Sequence, residues 1–218
     1  MNKKTIALII ISVIIAIGLI VGGFMLKYYA SFHKVTIDVK SAEITVDIYR
    51  MDPSAEETNP ATDAKIDTTK GIKVLSLQAG GYYAVPQGNK YDASPVNFTV
   101  ADKDISVSVN PGLSSTYLSS LLEQEQSTIN QVITTKYPIA TTGFKLNDGK
   151  IYNDGTWYGT TIVQNAISGN NGDVYRTVLH KVNGVWQFAA TPAIVLSAPE
   201  HTDIPENILK DLNSQSGY

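Results

Sequence analysis

Twenty-two consecutive residues without a charge, Thr5 to Leu26, constrain this chain more than any other feature. At 1.5 Å per helical residue such a run reaches about 33 Å, the thickness of a bilayer's hydrocarbon core. Lys3 and Lys4 precede it, and Lys27, Tyr28 and Tyr29 follow it, residue types that suit the headgroup boundary. The sequence therefore predicts a single transmembrane helix within a membrane anchor at residues 1–30, with ends at Thr5 and Leu26 and bilayer lipid as its partner over residues 5–26. The leading lysines place the N-terminus in the cytoplasm and the remainder outside, as a single-pass protein of the cell membrane. A cleaved signal peptide would carry a shorter apolar region, of about 7–15 residues, and small residues before the cut. A cut after Ala30 would put Tyr28 at the −3 position, against that reading.

Beyond residue 30, composition excludes several classes. There is no cysteine, hence no disulfide framework, cysteine nucleophile or lipid-modified cysteine. The 17 Lys and Arg include Lys3, Lys4 and Lys27, whereas all 20 Asp and Glu lie past the apolar run, so the outer part is net acidic. Arg50 and Arg176 are the only arginines. Nucleic-acid binding needs a basic stripe for the phosphates, and none is visible.

Residues 33–111 read as a series of short strands. Val35, Ile37 and Val39 alternate with polar residues, as do Ile44, Val46 and Ile48, then Val96, Phe98 and Val100, then Ile105, Val107 and Val109. A period of two puts one face in a core and the other in water, the pattern of antiparallel sheets. Met51 to Gly71, rich in Asp, Glu, Thr, Pro and Ala, reads as a long exposed loop. Asn110-Pro111-Gly112 is a breaker and the expected domain boundary.

Residues 112–213 change period. Leu113, Tyr117, Leu118, Leu121, Leu122, Ile129, Val132, Ile133 and Tyr137 recur at helical spacing, with Ser114 or Ser115 to start the helix and Pro138 to end it. Glu123 to Gln126 interrupt the apolar stripe. Strands follow over Thr156–Ile167, Asp173–Val182 and Val185–Leu196, the last two joined by Asn183-Gly184, a strong hairpin turn signal. Asp203, Pro205 and Glu206 open a final helix from Ile204 to about Leu212, and residues 214–218 are left as a tail. The expected fold class is an N-terminal transmembrane helix followed by a mainly β chain. An antiparallel β-sandwich is joined to a small α+β domain, a long helix on an antiparallel meander.

Two resemblances follow from these residues. Ile72 to Pro86, with Leu75 and Leu77, a Gly80-Gly81 turn, then Tyr82, Tyr83 and Val85, resembles an element of PEGA-like and carboxypeptidase-regulatory-like β-sandwiches. Strands like Val96–Val100 and Ile105–Val109 follow it there, and the Pro-Glu-Gly-Ala segment itself is absent here. The resemblance implies a non-catalytic surface module. Arg176 to Phe188, a strand, an Asn-Gly turn and a Trp-bearing strand, resembles the hairpin of extracytoplasmic NTF2-like domains. That resemblance implies a long helix across a curved sheet, with room for a conical cavity. Such folds host enzymes, ligand binders and assembly subunits alike.

No catalytic constellation emerges. His33, His180 and His201 stand far apart, without the spacing of a zinc site. Asn147-Asp148-Gly149 and Asn153-Asp154-Gly155 lack the ligand count of a calcium loop and read as turns. No cofactor is implied. Aromatic residues concentrate in residues 112–213, and read as core they supply buried area. Read as a cavity wall, Trp157, Tyr175 and Trp186 with Arg176 and His180 make a candidate ligand pocket. The expected function is thus a membrane-anchored, extracytoplasmic binding or structural module of a bacterial cell envelope. It would be an accessory subunit of a surface assembly, with an envelope protein or wall polymer as partner. The alternative is an NTF2-like domain that binds or transforms a small ligand.

Overall fold

The computed structural model describes residues 3–54, 57–165 and 172–215, with side chains described from residue 14 onward except at 26, 27, 30, 139 and 141. A first helix, α1, runs Lys3–Ala30. Among the described residues no helix is long and apolar enough to cross a membrane. The expected single-pass anchor is corrected accordingly, and with it the bilayer partner over residues 5–26, the membrane location and the cytoplasmic N-terminus. The side chains of its two ends, Thr5 and Leu26, lie outside those described.

The chain forms two compact units, residues 1–88 with 93–111 and residues 89–92 with 112–218. Unit 1 holds seven strands, β1 (Phe32–Val39), β2 (Thr45–Arg50), β3 (Ala64–Thr69), β4 (Ile72–Gln78), β5 (Gly80–Gln87), β6 (Val96–Val100) and β7 (Ile105–Val109). They make two sheets, in the orders β4-β1-β7 and β3-β2-β5-β6. The alternation seen in the sequence is the alternation of burial. Val35, Ile37 and Val39 on β1, Val107 and Val109 on β7, and Val46 and Ile48 on β2 are all buried. One pair departs from the antiparallel expectation: β1 and β7 run parallel, Val35 opposite Ile105 through Val39 opposite Val109. Parallel neighbours need a long connection, and the five strands between them supply it.

The stretch from Met51 to Gly71, expected as one exposed loop, is shorter and better anchored. Residues 64–69 form β3, which pairs with β2. The remaining loop is tied down by Asp63. Its Oδ2 accepts from the Tyr83 hydroxyl at 2.8 Å and from the Asn59 N–H at 2.9 Å, and its Oδ1 from the Asp52 N–H at 3.2 Å. Those bonds hold its carboxyl below the usual range. The side chain caps a second apolar layer, where Tyr49 and Tyr83 stack with centroids 5.2 Å apart and Met51 packs beside them. A carboxylate three residues past a Pro-rich run gives no periodic signal, which is why the sequence reads as loop throughout.

Unit 2 is a five-stranded sheet between two helices. Its strands are β8 (Phe144–Leu146), β9 (Lys150–Tyr152), β10 (Trp157–Gln164), β11 (Val174–Val182) and β12 (Val185–Ala193). The order is β12-β11-β10-β8, with β9 also on β10. β8 and β9 use successive lengths of one edge of β10, and Asn147 bridges the break. Its N–H and side-chain amide bond to Thr161, and its carbonyl accepts from the Thr160 hydroxyl at 2.8 Å. Asn183 and Gly184 at φ +53° and +80° make the β11–β12 turn, the left-handed pair that matches strand twist.

The long helix α2 (Ser115–Lys136) begins at Ser114, whose hydroxyl accepts from the Tyr117 N–H at 3.1 Å and donates to the Asn89 carbonyl at 2.6 Å. It lays Ile129 and Ile133 on one face of the sheet, against Ile151, Tyr158, Leu179 and Trp186. The short helix α3 (Glu206–Ser214) buries Ile208, Leu209 and Leu212 on the other face, against Tyr152, Val178 and Ala190. The final helix expected from Ile204 to about Leu212 thus covers the second face of the sheet. Gly159 is required there, because a Cβ would sit 2.8 Å from Leu212. The capping role expected of Asp203 is not used. Pro205 stands at the cap, with no side-chain bond.

Tyr83→Phe removes the buried phenol that Asp63 holds. It is expected to cost about 1 kcal/mol, read as a lower unfolding midpoint in urea, with earlier proteolytic nicking between residues 51 and 63.

Candidate ligand-binding site

Strand alternation sorts the candidate pocket residues onto opposite faces of the unit 2 sheet. Tyr175 and Trp186 belong to the α2 side, and Trp157 packs on the α3 side. His180, opposite Trp157 on β11, stacks on its ring with centroids 3.9 Å apart and planes 7° off parallel. The five residues therefore do not line one cavity.

Two of them have structural tasks. Arg176 holds the end of α3: its Nε donates to the Leu212 carbonyl at 2.8 Å and its Nη2 to the Gln215 carbonyl at 2.8 Å. Nη1 donates to the Val174 carbonyl at 3.1 Å and also to the Ile194 carbonyl. A guanidinium suits this post, since its forked donors meet the orphan carbonyls of a helix end. Trp186 is 3% exposed, and its indole N–H donates to Glu125 Oε2 at 2.9 Å. The other oxygen of Glu125 takes the Lys181 ammonium at 2.6 Å. The polar break in the α2 stripe is therefore a fastening point between helix and hairpin. The Lys181 bond, then that of Trp186, holds the Glu125 carboxyl below its ordinary range.

Tyr175 opens onto a hollow of about 270 Å³ beyond the end of α2, lined also by Tyr137, Ala140, Phe144, Ile162 and Pro192. Phe144 and Tyr175 meet edge to face at 5.8 Å and 74°. Among the described lining residues the polar side-chain groups are the two tyrosine hydroxyls. Three local features create the space. Pro138 ends α2, and a 3-10 turn, Pro138–Thr141, carries the chain away. β8 covers only three residues of the neighbouring edge. β12 carries an extra residue against Arg176–Val178 and another against Val178–Leu179, and such bulges bend a strand. Ala140, Ile162 and Pro192 are apolar positions that nothing in the sequence distinguishes from ordinary core. Pro192 inside a strand was the one available signal, since proline is confined to edges and bulges.

Two other concavities have a different character. One of about 420 Å³ at the start of α3 is lined by His201, Thr202, Asp203 and Glu206 among others, none of them buried. One of about 300 Å³ in unit 1 lies between Arg50–Pro53 and Thr62–Ala64. The hollow at Tyr175 is the smallest of the three and the one with mainly apolar walls, the kind of lining that holds organic ligands. Among the described residues no group of three His, Cys, Asp or Glu could hold a metal ion. The Tyr158 hydroxyl is buried and burial pushes its pKa up, but it lies in the core and not in this lining. No family model, no curated protein and no solved structure matches the chain.

Two outcomes test this account of the side chains. Glu125→Ala leaves the buried Trp186 N–H unpaired and should cost about 1–3 kcal/mol, more than Glu125→Gln, in denaturant unfolding. Because the folded state depresses the Glu125 pKa, its contribution is present above the ordinary value of 4.5 and lost as pH falls below it. The Glu125→Ala penalty should therefore shrink in acid. Arg176→Met should lower hydrogen-exchange protection first in residues 206–215, leaving α2 protected.

Proposed function

We propose that this chain is a binding module without a catalytic role, and that its second unit takes a small apolar molecule into the hollow at Tyr175. The supporting observation is the hollow itself: aromatic walls, a volume of about 270 Å³ and a frame of secondary structure on every described side. Pockets for small organic ligands start near 300 Å³, so the fitting occupant is one or two fused rings in size. A non-catalytic reading is favoured by the described lining residues, among which there is no carboxylate, imidazole or amine. Acid–base or nucleophilic chemistry needs such a group within hydrogen-bond reach of the reacting atom.

The hollow can be tested with a panel of neutral ring compounds, benzene to naphthalene, by thermal unfolding and amide chemical shifts. A compound at ten times its Kd should raise stability by about 1.4 kcal/mol. Shifts are expected at Tyr137, Phe144, Ile162 and Tyr175, and Ala140→Phe, which fills the space, should abolish both effects while the protein remains folded. A panel that moves none of these amides would refute the reading.

A further inference from the structure

Lys136, in the last turn of α2, holds its ammonium over aromatic rings, 4.5 Å from the Phe188 centroid and 5.8 Å from that of Tyr137. Tyr137 lines the hollow and meets Phe188 edge to face at 5.4 Å. The amines of Lys65, Lys73, Lys150, Lys181 and Lys210 each meet a carboxylate. Among the described residues that of Lys136 meets none. A helix C-terminus favours a cation through its dipole, but that preference does not direct the ammonium across two rings toward a cavity wall. The charged residues within two positions of a lining residue are Lys136, Lys145, Arg176 and Asp173. Arg176 spends its donors on backbone carbonyls.

We infer that the ligand of the hollow is a small aromatic carboxylate, with its ring against the walls at Phe144 and Tyr175 and its anionic group on Lys136. The inference rests on the hollow being a ligand site. Apolar walls discriminate shape but not charge, so the selection of an anion falls to Lys136, whose ammonium lies over the ring of a lining residue. Lys136 is exposed, and an ion pair there is a modest, salt-sensitive contribution.

The test compares 1-naphthoate with 1-naphthamide, equal in shape and different in charge, titrated into the ¹⁵N-labelled full chain. Both should shift Tyr137, Phe144, Ile162 and Tyr175, with naphthoate binding about three- to five-fold tighter at low salt. In Lys136→Gln the ratio of the two affinities should fall to about one, and in Lys136→Arg it should persist. Equal affinities in the parent protein, or a preference untouched by Lys136→Gln, would overturn the carboxylate and leave the hollow as a ligand site. No shift at the lining residues with either compound would overturn the hollow as well.

Discussion

Unit 2 depends on β10 and β11 serving two helices at once. Neighbouring residues on these strands face opposite layers: Trp157 goes toward α3 and Tyr158 toward α2, Val178 toward α3 and Leu179 toward α2. Because the side-chain period of a strand is two, a slip of one residue would exchange both layers together. Specific contacts fix the register from each side. Glu125 bonds to Lys181 and Trp186 from α2, and Asp211 of α3 accepts the Tyr152 hydroxyl at 2.6 Å. The charged groups nearest the core thus set alignment, and the apolar layers supply most of the cohesion.

The hollow follows from where that double coverage stops. α2 ends before the sheet does, and the strand lying farthest from β8 is bent by two extra residues. Aromatic side chains stand at the resulting gap because they are stiff and wide, so Phe144, Tyr175 and Tyr137 can frame a space without collapsing into it. A row of leucines in the same places would have more freedom to close over it.

Several strands of unit 1 and the long helix were legible because they repeat, whereas β3 was read as part of the Met51–Gly71 loop. Val35-Ile37-Val39 and Leu118-Leu121-Leu122 announce their periods directly. β8 and β9 were not, because three residues such as Phe144–Leu146 are too few to show a period. The parallel partnership of β1 and β7 was hidden as well, since alternation reveals a strand but not its neighbour. The candidate pocket was assembled from residue types, Trp157, Tyr175, Arg176, His180 and Trp186, without the face each would occupy, and the sheet separates them. Tyr175 alone of these meets the hollow. The apolar run at Thr5–Leu26 was the loudest feature in the sequence, yet among the described residues no helix is long and apolar enough to cross a membrane.

Residues 89–92 sit between β5 and β6 of unit 1 but belong to unit 2. There Tyr91 bridges to Leu113, the Asp92 N–H reaches the Gly112 carbonyl at 2.9 Å, and Asn89 accepts from the helix cap at Ser114. The polypeptide therefore passes from one unit to the other three times. No single cut in the gene separates them: a product ending at Pro111 keeps the excursion and loses its hosts, and one starting at Gly112 begins α2 with its first turn unsupported. Shuffling either half into another protein would require excising a four-residue tongue from the first and grafting it back onto the second.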